Sequence, residues 1–167
     1  MTGVQRDAVP IGLLSVKVVT LDEYRQALQM RRLLETRAVV MATPRMDKQV
    51  LERLRSEVKA LNSHKNPTYD MHWKVDGDLH GTIAQSCGNA IMATVIADLR
   101  RLTQQFEIQT IPRRVKPGCA EHLAILDAMI AGNAGKASKA MRMHPDRVRS
   151  EERRVGKACR TRGAPDH

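Results

Sequence analysis

Apolar residues recur at three- and four-residue steps in six successive stretches of the chain, and this spacing restricts the possible folds more than any other feature. An α-helix places residues at such steps on one face, whereas a half-buried strand needs strict alternation, which no stretch shows convincingly. The breaks between the stretches are short. The pattern therefore predicts an all-α fold, an antiparallel bundle of about six helices over residues 20–148.

Local signals mark where these helices begin and end. Thr20 followed by Glu23 is the pattern of a capping box, so we expect the first helix to start there and to run to about Ala42. Thr43 followed by Pro44 predicts the start of the second helix. The fourth helix is expected to continue to about Phe106 and to bury an apolar stripe of Ile91, Val95, Ile96, Leu99 and Leu102.

The two ends of the chain differ from its middle. Residues 1–19 have no helical period and are interpreted as a connector or the remnant of a preceding segment. Residues 149–167 include "RSEERRVGKACR", which resembles the translation of a sequencing adapter, so we expect a non-native tail there. The helical domain is expected to occupy residues 20–148.

Composition excludes several classes of protein. A net charge of +10 suits an anionic partner or a solvated surface, but no segment combines basic residues with interleaved aromatics in the way that grips a nucleic-acid strand. Three distant cysteines without a CxxC pair argue against disulfides and thiolate zinc sites. No run approaches the roughly 20 apolar residues of a membrane span. The chain is therefore expected to be cytoplasmic, without a membrane partner.

Asp76 and His80 are four residues apart, so on a helix both side chains leave the same face. Taken alone, the pair is better explained as a weak surface ion pair than as part of a metal site. His122 near the start of one late helix and His144 near the end of the next would lie at one level if those helices are antiparallel. The spacing permits a site of three histidines and one aspartate, a ligand set that suits Zn²⁺, Ni²⁺, Fe²⁺ or Mn²⁺.

Three segments carry a resemblance to a known family: "EYRQALQMRRLLETRAVVMA", "VDGDLHGTIAQSCGN" and "EHLAILDAMIAGNAGKASKAMRMH". In sequence and order they resemble the FCD domain, the effector-binding and dimerisation domain of FadR-type GntR-family transcription regulators. The resemblance runs from about Leu21 to Val148. It departs from the family pattern at Leu79, where a Phe is usual, and at Pro145, which interrupts the last helix.

The resemblance implies that Asp76, His80, His122 and His144 bind a divalent metal and that the chain senses a small molecule, an organic acid in many relatives. It also implies a homodimer and effector contacts from Arg31 and Asn89, although a surface arginine and a helix-capping asparagine are equally good readings of those two residues. DNA would be contacted only through a winged-helix domain, for which the roughly twenty residues before the first helix leave no room. The chain is thus interpreted as a fragment of a regulator and not as an enzyme.

Two alternatives stay open at this point. A metal site with an open position can activate water, so a metal-dependent hydrolase on a helical bundle is the second hypothesis. Its weakness is that Glu121, beside His122 in sequence, points elsewhere, and no other carboxylate has a spacing that supplies a general base. The third hypothesis is a helical bundle whose histidines are incidental.

Overall fold

A computed structural model describes residues 18–110 and 118–144 of the 167-residue chain. These residues form six helices and contain no strand, so the predicted all-α bundle is confirmed. The proposed connector except its last two residues, part of the linker before Cys119, Pro145 and the proposed tail lie outside the described residues. The helices are α1 (Leu21–Ala42), α2 (Lys48–Ser63), α3 (Tyr69–Ser86), α4 (Ala90–Thr110), α5 (Cys119–Ile130) and α6 (residues 134–144).

The start of α1 is the predicted capping box. The Thr20 hydroxyl accepts the Glu23 amide at 3.2 Å, and the Glu23 carboxylate accepts the Thr20 amide at 2.9 Å. Two amides that have no partner inside the helix are satisfied in this way. α1 then continues to Ala42, the predicted end.

The predicted start of α2 is wrong by several residues. Asp47, not Thr43, is the cap, and its carboxylate accepts the Gln49 amide at 2.6 Å. The Thr43 hydroxyl instead donates to the Val39 carbonyl at 2.7 Å, so it continues the hydrogen bonding of α1. Pro44 therefore lies in a turn between the helices, because the Thr43 hydroxyl binds a carbonyl of the preceding helix and does not cap the following one.

The main core joins the central parts of the bundle. α2 packs on α5 and α3, and α1 packs on α3 and α4. Each fully buried Leu or Ile contributes roughly 1.5–3 kcal/mol by leaving water. The largest fully buried apolar side chains of this core are Leu54, Leu79, Ile83, Ile96, Ile125, Leu126, Met129 and Met141.

A smaller apolar cluster closes the end of the bundle where α1 begins and α4 ends. The Tyr24 and Phe106 rings stack there at 4.3 Å, and Val19 and Leu28 are buried beside them. The Tyr24 hydroxyl donates to the Glu107 carboxylate at 3.0 Å. Since the start of α1 meets the end of α4, these two helices are antiparallel.

α4 differs most from its prediction. It runs past Phe106 to Thr110, and only part of the predicted stripe is buried. Ile96 is 1% exposed, but Ile91 is 78% and Val95 39% exposed. The inward face of α4 instead carries Thr103, which is fully buried, and the largely buried Arg100. The spacing of apolar residues therefore does not predict which residues are buried in a helix whose inner face is partly polar.

None of the helices within the described ranges is long and apolar enough to cross a membrane.

Candidate metal centre

Three helices bring the four predicted ligands together. Asp76 and His80 lie one turn apart on the inward face of α3, His122 lies in the first turn of α5, and His144 ends the described part of α6. Asp76, His80 and His122 are buried and His144 is half-buried. One ligand atom from each lies within 4.8 Å of the others, so the geometry can hold a metal ion.

The ring nitrogens of the histidines converge with an oxygen of the carboxylate. His122 Nε2 lies 3.4 Å from His80 Nε2, 3.3 Å from His144 Nε2 and 3.3 Å from Asp76 Oδ1. His80 Nε2 is 3.7 Å from Asp76 Oδ1. A cation about 2.0–2.1 Å from two imidazole nitrogens separates them by roughly 3.4 Å at a tetrahedral angle and roughly 3.0 Å at a right angle. The separations of 3.3–3.4 Å around His122 Nε2 match such a shared ion.

Hydrogen bonds alone satisfy this arrangement poorly. A neutral imidazole has one N–H and one lone pair, so His122 Nε2 can donate to at most one of its three close neighbours. At most one of its three contacts is then a linear hydrogen bond, and the others bring like polar atoms together in a buried site. A cation between the four atoms removes that repulsion, and neutral imidazoles with one carboxylate are a ligand set that first-row divalent metals accept. The residues present therefore fit a divalent metal.

A buried carboxylate of α1 contacts the opposite side of the His80 ring. Glu35 Oε2 lies 2.6 Å from His80 Nδ1, and the Glu35 side chain is 3% exposed. The oxygen lies off the ideal line of a ring N–H bond, so the contact is a short interaction of a charge with a dipole rather than a linear hydrogen bond. Glu35 and the metal position thus lie on opposite ring nitrogens of His80.

Arg100 of α4 links the two buried carboxylates. Its guanidinium binds Oδ2 of Asp76 and lies 3.4 Å and 3.5 Å from the two oxygens of Glu35. It also lies 3.4 Å from the Asp76 carbonyl oxygen. Oδ2 of Asp76 is therefore occupied by Arg100, whereas Oδ1 faces the histidines.

Arg31 is a buried member of the same network and not a surface residue. It is 8% exposed, its Nε donates to Glu35 Oε1 at 2.7 Å and its terminal nitrogen donates to Thr103 Oγ1 at 2.8 Å. Burial acts to lower the pKa of Arg31, but Glu35, together with Asp76 and Glu107, raises it above the usual value. Arg31 therefore stays charged.

The charges and the burial around the centre keep both carboxylates ionised and keep His80 and His144 neutral. Burial acts to raise the pKa of Asp76 and of Glu35, but Arg100 beside Asp76, and Arg31 with His80 and Arg100 beside Glu35, hold both values well below their usual ranges. Burial and Arg100 lower the pKa of His80 to about 4. Burial, helped by the other two histidines, lowers the pKa of His144 well below its usual value. Neutral histidines are the form that binds a metal.

Asn89 and His72 are not among the four converging side chains. Asn89 is exposed and accepts the Met92 amide at 2.9 Å, so it caps α4 as one of its two readings expected. Its role as an effector contact stays a prediction. His72 is half-buried on the turn of α3 before Asp76, and its ring centroid lies 5.7 Å from that of Trp73 at an interplanar angle of 61°.

Sequence reasoning missed Glu35, Arg100 and Thr103. On a helix a charged or polar residue normally faces water, so none of them drew attention. A signal was present in α1, because Tyr24, Leu28, Arg31, Glu35, Ala38 and Ala42 continue one spacing of alternately four and three residues. Two charges on an otherwise apolar face indicate a buried pair.

The fold agrees with the comparison to known families. The family model of the FCD domain matches residues 26–147, which is more than half of the chain, so this chain belongs to the FCD domain family. FCD domains are the effector-binding domains of GntR-type transcription regulators. No curated protein matches the chain closely enough to count as a relative.

Proposed function

We propose that this domain senses a small carboxylate through a divalent metal held by Asp76, His80, His122 and His144, and that it acts as a homodimer in the cytoplasm. The observation that carries the proposal is the convergence of four ligand atoms from three helices inside the bundle. Within a regulator of this family, DNA would be contacted by a separate winged-helix domain.

The charge balance around the centre supports an anionic ligand. Arg31 and Arg100 carry two positive charges, and Glu35 and Asp76 carry two negative charges, so these four groups cancel. A divalent ion on neutral imidazoles then adds two uncompensated charges to a buried site. An unbalanced charge is costly away from water, so an acid that reaches an open position of the metal would be favoured.

The surroundings of the centre support sensing rather than hydrolysis. Glu35 is the closest carboxylate to the four ligands that the structure shows, but it is held by Arg31, Arg100 and His80. Its lowered pKa makes it a weak base, and a general base works best with a pKa near the operating pH. A metal that binds an acid is sufficient for a receptor site, whereas a hydrolase would also need a general base.

Exposed apolar side chains support the dimer. Met30 and Leu33 on α1 are 45% and 65% exposed, and Ile91 on the adjacent α4 is 78% exposed. Apolar residues on two neighbouring helices favour a protein partner, and a second copy presents the same surface. In sedimentation, Leu33→Glu and Ile91→Glu are each expected to shift the mass toward a monomer, with Met143→Glu on α6 as the control for an exposed apolar residue.

The first experiment measures metal content and melting temperature of the purified protein, for the wild type and for His80→Ala and His122→Ala. We expect close to one metal per chain in the wild type, a higher melting temperature with metal, and loss of both effects in the two variants. Organic acids are then expected to raise the melting temperature of the metal-loaded protein alone.

His64→Ala is the matched control, since His64 is exposed at the end of α2 and belongs to no part of the centre. It should keep the metal and the thermal shift. Absence of metal from the wild type, or equal metal content in His80→Ala and His122→Ala, would refute the proposal. Acids that act equally with and without metal would refute the carboxylate part.

A further inference from the structure

We propose that Glu35 and Arg100 are positioning residues of the metal centre, and that they select which atoms of His80 and Asp76 are offered to the metal. Glu35 keeps the proton of His80 on Nδ1, which leaves the Nε2 lone pair for the metal. Arg100 occupies Oδ2 of Asp76, which leaves Oδ1. The inference rests on the proposed metal site, and it concerns residues of α1 and α4, which supply no ligand themselves.

The contact of Glu35 with His80 carries the first half. At 2.6 Å from a carboxylate oxygen, an unprotonated Nδ1 would hold its partial negative charge close to a full negative charge, even though the oxygen lies off the line of the ring nitrogen. A proton on Nδ1 turns that repulsion into attraction, and the low dielectric of the interior strengthens the difference. The other nitrogen, Nε2, is the atom that faces His122 and Asp76. The tautomer that suits Glu35 is therefore the one that suits a metal ligand.

The contacts of Arg100 carry the second half. An Asp carboxylate can bind a metal through one oxygen or through both. Arg100 binds Oδ2 of Asp76, whereas Oδ1 lies 3.3 Å from His122 Nε2. Arg100 therefore favours binding of the metal through Oδ1 alone. Because the same guanidinium faces both oxygens of Glu35, it holds the two carboxylates in one arrangement.

A purely structural role of Glu35 would not require its contact with His80. α1 already has an ion pair between Arg31 and Glu35 through Oε1, and this pair alone would satisfy the Glu35 charge in part. Oε2 is instead directed to the back of a metal-binding ring. Carboxylates behind metal-binding histidines fix the ring and raise its basicity, and their removal typically lowers metal affinity about 10–100-fold.

The test combines nuclear magnetic resonance of the imidazole nitrogens with metal titration. In the metal-free wild type we expect the His80 proton on Nδ1. Glu35→Gln keeps the size of the side chain and removes its charge, so we expect a mixed tautomer of His80 and a metal affinity about 10–100-fold lower. Arg100→Gln is expected to lower the affinity by a similar factor without changing the tautomer of His80.

The control is Glu57→Gln, which removes the carboxylate of an exposed pair with Arg53 of equal spacing and length. It should leave both the affinity and the tautomer unchanged. A wild-type His80 with its proton on Nε2 would overturn the inference with no variant needed, as would a Glu35→Gln protein with wild-type affinity. Failure of the proposed function has a different result, a wild type that binds no metal. In that case the tautomer still decides whether Glu35 positions the ring.

Discussion

Two ion pairs in this molecule have the same sequence spacing and the same length, but lie in different surroundings. Arg31 and Glu35 on α1 are joined at 2.7 Å with side chains 10% and 3% exposed, and Arg53 and Glu57 on α2 are joined at 2.7 Å with side chains 53% and 32% exposed. The inner pair also contacts Thr103, Arg100 and a metal-site histidine, whereas the outer pair lies near water. The sequence spacing of an ion pair therefore does not predict whether the pair is buried or exposed.

The difference follows from the cost of unpaired charge. In water each partner of the outer pair is solvated when the other is removed, so little is lost. Inside the bundle the remaining partner stays buried without a counter-charge, and that is expensive. The inner pair is thus part of a network in which every charge needs its partners. Four measurements test this difference between the two pairs.

The largest effect is expected for Glu35→Gln. The change leaves the guanidinium groups of Arg31 and Arg100 buried with one fewer carboxylate, and breaking a buried pair costs about 3–5 kcal/mol. Denaturant unfolding of the metal-free protein measures the loss directly. A loss below about 1 kcal/mol would mean that water reaches this network and screens it.

The next effect is the stabilisation by metal. A ligand at 100 times its dissociation constant stabilises the folded state by about 2.7 kcal/mol. We expect an increase of that order for the wild type with Zn²⁺ or Ni²⁺, and none for His122→Ala, in unfolding curves with and without metal. An equal increase in His122→Ala would mean that the ion binds elsewhere.

A smaller effect is expected at Glu107, a carboxylate of intermediate burial. Burial raises the pKa of Glu107 to about 6, even though the Tyr24 hydroxyl donates to it. Because this folded pKa lies above the unfolded one, the contribution of Glu107 to stability is present below about pH 4 and is lost as the pH rises through 6. Glu107→Gln should therefore stabilise the protein by roughly 1–2 kcal/mol at pH 8 and have no effect near pH 4.

The measurement is the difference between the unfolding free energies of wild type and Glu107→Gln at several pH values. The amide oxygen of Gln can still accept the Tyr24 hydroxyl, which isolates the effect of the charge. A difference that does not depend on pH would show that the carboxylate is solvated in the folded state.

The smallest effect is expected for Glu57→Gln, the partner test to Glu35→Gln. An exposed pair at this spacing contributes about 0.3–0.5 kcal/mol, and salt screens it. Unfolding in low and in high salt should show a loss of that size at low salt and almost none at high salt. A loss comparable to that of Glu35→Gln would remove the contrast between the two pairs.

The predictable part of the fold depends on local chemistry. Thr20 with Glu23 marked the start of α1, and the apolar period of α2 from Leu51 to Leu61 marked a buried face. Asp76 and His80 were found because they lie on one turn of a single helix. These features need no knowledge of which helices are neighbours.

The rest depends on how helices meet. His122 and His144 were assigned through spacing and family resemblance, and the contacts of Arg100 with Glu35 and Asp76 join three helices. The Thr43 hydroxyl could cap the next helix or donate to a carbonyl of the previous one, and only the path of the chain determines which hydrogen bond forms. The exposed Ile91 and the buried Arg100 show that the inner face of α4 is set by its neighbours.

The centre draws its ligands from residues 76 to 144, so it exists only when α3, α5 and α6 have all docked. In kinetic terms, such distant contacts form late, after most of the loop-closure entropy has been lost. An ion bound there should slow unfolding and leave the rate of refolding nearly unchanged. The metal would then set how long each folded molecule lasts, while the helices decide how quickly it forms.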